Sequence, residues 1–98
     1  MARNKKEDLA VYEIDNGVCQ LCGSPQVDYP HHIIYKSHGG KNDRRNMILL
    51  CRRCHTKVHT NEKYYVEYLL DLQRSKYGTI EINDLKKKNK WEVANEKI

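Results

Sequence analysis

Apolar positions are sparse along this chain and fall into short patches separated by polar runs. In KKEDLAVYEIDNGVC, Leu9, Tyr12 and Ile14 recur near helical spacing and Asn16-Gly17 breaks the run, which predicts a short helix over Lys5–Asp15. CQLCG then reads as a tight knuckle whose Gly23 permits a turn. HHIIYKS is rich in β-branched and aromatic residues and predicts a strand. HGGKNDRRN is a polar loop broken by Gly39-Gly40, and MILL predicts a second strand. RRCHTKVHT begins a helix. NEKYYVEYLLDLQRSKYG predicts an amphipathic helix over about 62–77, with Tyr65, Tyr68, Leu69 and Leu72 as its stripe, Asn61 as cap and Gly78 as stop. Residues 79–98 form a polar, weakly patterned tail to which no element is assigned. The pattern gives an α+β domain over 1–78 with its core at about 10–60, and no internal repeat.

Composition sharpens this picture. A chain of 98 residues with no Phe and one Trp buries a modest core, and domains of this size often need a staple. Eighteen basic against 13 acidic residues leave a net charge of +5, which suits a polyanion such as nucleic acid. No apolar run approaches the roughly 20 residues of a membrane span, so no membrane partner is expected. MARNKKEDLAVYE has charges without a following apolar stretch, so a cytoplasmic location is expected. In that reducing compartment four cysteines point to metal thiolates rather than disulfides.

The cysteines form two pairs, Cys19-x-x-Cys22 and Cys51-x-x-Cys54. Each pair can bite one tetrahedral ion, and two pairs fill four-coordinate zinc, a closed structural site. CRRCH also spells a haem-attachment pattern, but that reading leaves the first pair without a purpose. All five histidines lie between residues 31 and 59. His31 and His32 are adjacent, so on a strand they face opposite ways. His55 and His59 are four apart, which stacks both imidazoles on one helix face. His31, His55 and His59 are therefore the candidate ligands of a second ion, with positions open for water and substrate. His32 is aimed elsewhere. His38 is expected to sit in the loop.

HHI, the Gly-Gly loop and RRNMILLCRRCH together resemble the HNH endonucleases, the ββα-metal finger family. His32 to Asn46 is 14 positions and Asn46 to His55 is nine, a ladder similar to that of colicin-type nuclease domains. The flanking cysteine pairs resemble the zinc-stapled branch that includes many phage and restriction-type enzymes. The resemblance covers about residues 10–60 and implies a small ββα-metal fold with zinc knuckles and flanking helices. It implies His32 as general base, Asn46 as the residue that orients the base, and His31, His55 and His59 as ligands of a catalytic ion. Two positions depart from the family pattern: His31 stands where many members have Asp, and Tyr35-Lys36 follow Ile33-Ile34 where a Pro is common. A three-histidine set favours Zn, Ni or Mn over Mg.

Lys36, Lys41, Arg44, Arg45, Arg52, Arg53 and Lys57 flank the candidate site in sequence and are expected to meet phosphates without reading bases. LKKKNK would add a non-specific contact or keep the tail soluble. The reading is an HNH endonuclease that hydrolyses DNA phosphodiesters, with structural Zn and a catalytic Mg, Mn, Ni or Zn ion, and no small-molecule substrate. The alternatives are a zinc-stapled nucleic-acid-binding module without catalysis and an RNase of the same fold.

Overall fold

A computed structural model of the chain describes residues 5–86. Its elements run α1 (Lys5–Ile14), β1 (His31–His32), 3-10 turns at Lys36–His38 and Arg44–Asn46, β2 (Met47–Ile48), α2 (Arg52–Thr60), α3 (Glu62–Tyr77) and a final 3-10 turn at Ile82–Leu85. The strands are antiparallel, with His31 opposite Ile48 and His32 opposite Met47. Both are shorter than the apolar runs suggested. Beyond His32 the chain closes quickly on Asn46, since Ile33 N–H donates to the Asn46 carbonyl at 2.8 Å.

MILL is buried on both faces, because side chains along an extended segment alternate. Ile48 and Leu50 join Ile33, Ile34, Val58, Leu69 and Leu70 in the main core. Met47 and Leu49 point the other way and pack with Val11 of α1. One short segment therefore joins α1 to the rest of the molecule.

The rotation of α1 differs from the one its periodicity suggested, while α3 turns inward close to the expected stripe. In α1 the buried residue is Val11, while Leu9 is 63% and Ile14 38% exposed. In α3 Leu69 is buried and Tyr65 and Leu72 pack against the main core as the stripe predicts, Leu70 and Gln73 complete the inward face, and Tyr68 is 45% exposed. Gln73 is fully buried, and its amide donates to the carbonyls of Arg45 and Met47 at 2.9 Å each and of Arg44 at 3.4 Å. Asp15 is also buried. Its carboxylate accepts from the Leu49 N–H at 2.9 Å and from Lys76 Nζ at 2.6 Å, tying α1, β2 and α3 together.

Asn61 precedes α3 without a side-chain capping bond, and Gly78 stops it with a left-handed φ of 88°. The chain then turns back. Ile80 and Leu85, read from sequence as part of a polar tail, are fully buried in the main core. The Leu85 carbonyl accepts from Lys41 N–H at 2.9 Å, and Lys86 bridges to Gly40. The rest of LKKKNK, from residue 87, lies outside the described residues. Among the described residues no helix is long and apolar enough to cross a membrane.

Candidate functional site

Two clusters of ligating side chains stand out among the described residues. The first is Cys19, Cys22, Cys51 and Cys54, whose sulfurs all lie within 4.8 Å of one another. Gly23, at φ 79°, closes the first knuckle and donates its N–H to the Cys19 carbonyl at 2.8 Å. The second knuckle runs directly into α2: Cys51 is its N-cap, and its sulfur accepts from the Cys54 N–H at 3.5 Å. Burial opposes ionisation of Cys19, yet backbone N–H groups of Cys51, Cys22 and Leu21 hold its thiol down at about 6. Burial and the neighbouring thiols push Cys54 up to about 12. Four such thiols cannot ionise together without a cation between them. With three of the four cysteines buried, the donor set fits a zinc ion in a closed structural site.

The second cluster is His31, His55 and His59, with one ring nitrogen from each inside the same 4.8 Å limit. His55 follows Cys54 directly and His59 comes one turn later, so the cysteine knuckle sets the position of both imidazoles. The ring centroids of His31 lie 4.8 Å from His55 and 5.4 Å from His59. Burial, with the neighbouring imidazoles, pushes His31 down to about 3. Burial and His59 also lower His55, against the pull of Asp28. Neutral imidazoles keep the lone pairs that a metal needs. The His55 Nδ1 lies 3.8 Å from Asp28 Oδ2, and the His59 Nδ1 is 2.9 Å from the Tyr35 hydroxyl.

His32 faces the other side of β1, as the alternation along a strand requires. Its Nε2 donates to Asn42 Oδ1 at 2.8 Å, an oxygen that can only accept. Asn46 is fully buried and works on the loop. Its side-chain oxygen accepts from Ile34 N–H at 2.8 Å, and its amide donates to the carbonyls of Ile34 and Lys41 at 3.0 and 3.1 Å. Asn42 therefore touches His32, while Asn46 pins the loop that carries Asn42. His38 stacks on Tyr35 at 5.8 Å between centroids.

The chain matches the HNH endonuclease family model over residues 19–61, the stretch that carries both clusters. This protein belongs to the HNH family. It is 35% identical over 60 residues to anaredoxin of Nostoc sp., an alignment spanning 60% of this chain and 79% of that protein. It is 38% identical over 50 residues to a mitochondrial DNA mismatch repair protein mutS homolog of Sarcophyton glaucum, spanning 45% of this chain and 5% of that much longer protein. HNH membership carries a nuclease-type or nucleic-acid-binding function.

In this HNH domain the basic residues divide into two groups. Arg44 grips Glu7 of α1 through both carboxylate oxygens, the closer at 2.8 Å, and Arg45 binds Asp43 at 3.0 Å. Both guanidiniums are engaged by carboxylates within the fold while their side chains stay 40% and 35% exposed. Arg52, Arg53 and Lys57 are exposed on α2, and Lys36 and Lys41 are half-exposed on the loop. Sequence reasoning singled out neither Asn42 nor Asp28, and it read Tyr35 only as a departure from the family pattern. Asn42 sits in a polar loop and Asp28 precedes the strand, and nothing in their local spacing marks them as partners of histidines.

Proposed function

We propose that this HNH protein is a metal-dependent endonuclease that hydrolyses DNA phosphodiester bonds in the cytoplasm. The observation that carries this reading is the division of labour at β1. His31 turns towards His55 and His59, and its neighbour His32 turns away and is oriented by Asn42.

His31, His55 and His59 would hold a divalent ion, which would supply positive charge to the scissile phosphate and to the departing sugar oxygen. The proton on His32 Nε2 is directed to Asn42, which makes Nδ1 the basic nitrogen of the ring. His32 takes a proton from water there, and an imidazole suits this step because its ordinary pKa lies near neutrality. Asn46 acts indirectly by holding the loop from Ile34 to Asn42. Arg52, Arg53, Lys57, Lys36 and Lys41 neutralise phosphates on either side of the cut without reading bases. The stretch shared with a DNA mismatch repair protein favours DNA as the polymer.

The test is incubation of purified protein with supercoiled plasmid and Mg, Mn, Ni or Zn, beside a chelator control. The wild type should nick or linearise the plasmid, and His32→Ala should cut at least about 100-fold more slowly while it keeps its zinc and its DNA affinity. Tight binding without cleavage in every ion would sink the nuclease reading and leave a nucleic-acid-binding module. Cleavage of RNA but not plasmid would reassign the polymer.

A further inference from the structure

The reading above leaves open how His59 comes to be placed for an ion. His31 is buried in the strand pair, and His55 follows directly on a buried cysteine. His59 has neither anchor. It is exposed, one residue from the end of α2, and a side chain there has several rotamers and two neutral tautomers open to it. One contact removes that freedom: the Tyr35 hydroxyl lies 2.9 Å from His59 Nδ1.

We propose that Tyr35 is a positioning residue for the histidine-held ion, fixing His59 so that its Nε2 is presented to the metal. The proposal rests on the reading that His31, His55 and His59 hold an ion. A neutral imidazole that gives the lone pair of Nε2 to a metal must carry its proton on Nδ1. That N–H then donates to the phenol oxygen of Tyr35, which selects both the tautomer and the ring direction. The other histidine of α2 follows the same pattern, since His55 Nδ1 faces the Asp28 carboxylate. Both helix histidines turn Nδ1 to an oxygen, which leaves Nε2 as the nitrogen for an ion.

Tyr35 is itself well held. Its backbone is extended, and its carbonyl accepts from the N–H groups of His38 and Gly40, each at 2.9 Å. Its ring meets His31 edge-on at 5.8 Å. The phenol oxygen is thus fixed relative to His31, the ligand from the opposite element. Tyr35 places a strand-side ligand and a helix-side ligand in one frame.

The experiment titrates Ni²⁺ into full-length protein whose cysteine cluster is loaded with zinc, using calorimetry with a competing chelator. Tyr35→Phe keeps the ring and removes only the hydroxyl. It should weaken Ni²⁺ binding by about tenfold or more, with zinc content and unfolding midpoint unchanged. Long-range imidazole ¹H–¹⁵N spectra should show His59 as the Nδ1–H tautomer in the wild type and a mixture of tautomers in Tyr35→Phe. His38→Ala removes the stack but not the phenol and should leave Ni²⁺ affinity unchanged. Equal affinity of wild type and Tyr35→Phe would overturn the proposal, as would an equal loss in His38→Ala, which would assign the effect to ring packing. Ni²⁺ binding that survives His55→Ala would instead overturn the underlying reading of the histidine site.

Discussion

Single residues in this protein act by excluding alternatives. Gly40 is the sharpest case. A Cβ there would lie 1.8 Å from the Ile34 carbonyl oxygen and 3.0 Å from the Asn46 amide nitrogen. The first distance is far inside van der Waals contact with backbone, which cannot swing aside as a flexible side chain can. Gly40→Ala should therefore cost about 2–4 kcal/mol, the range for forced overpacking and backbone displacement. Denaturant unfolding measures it, and an unchanged midpoint would mean the loop gives way more easily than the geometry implies. The same loop carries Asn42, so plasmid cleavage should fall with stability. Asn46 works beside Gly40, because its three side-chain hydrogen bonds, two of them buried, hold the two arms of the loop. The sequence marked Asn46 through the family resemblance, but its physical task is visible only once Ile34 and Lys41 are seen across from it.

At the scale of elements, α3 shows what periodicity leaves open. Its apolar spacing correctly announced a long helix with one buried face, and Gly78 ends it as expected. The buried face is centred on Leu69, Leu70 and Gln73 because that side meets the carbonyls leaving the second 3-10 turn. A glutamine in a core is favourable only when its partners are in place. Gln73→Leu conserves much of the volume but strands the carbonyls of Arg45 and Met47, and should destabilise the protein by about 2–3 kcal/mol. Thermal or denaturant unfolding tests this, and a variant as stable as the wild type would show that other donors satisfy those carbonyls. Tyr64 and Tyr68, on the outer side of the same helix, should be replaceable with little effect on the midpoint.

For the whole molecule, the proposed reading divides the two clusters into fastening and chemistry. Structural zinc in small domains is worth about 10–16 kcal/mol of binding free energy, as large as the roughly 5–15 kcal/mol net stability of an entire domain. On that reading, removing zinc should decide whether the protein folds. Cys51→Ser, or a strong chelator acting on the wild type, should abolish cooperative unfolding and lower helical circular dichroism. His55→Ala should do neither, because His55 is half-buried and belongs to no apolar cluster. It should lose cleavage and retain one zinc per chain. If His55→Ala unfolds as badly as Cys51→Ser, the partition between the two clusters fails.

What the sequence by itself determined are the features set by local spacing. Two residues between paired cysteines make a knuckle, four positions on a helix stack two histidines, and adjacent strand residues face apart. These intervals constrain geometry wherever the chain goes, so both clusters and the ββα order were legible. Tertiary structure alone decided the rotation of α1, the recruitment of Ile80 and Leu85 into the core, the ion pairs of Arg44 and Arg45, and the contacts of Asn42, Asp28 and Tyr35. A period gives the spacing between side chains but not the angle at which the helix presents them, and that angle is set by what packs against it. A hydrogen bond such as Tyr35 to His59, 24 residues apart, leaves no local pattern, because it exists only when two separate elements are brought together.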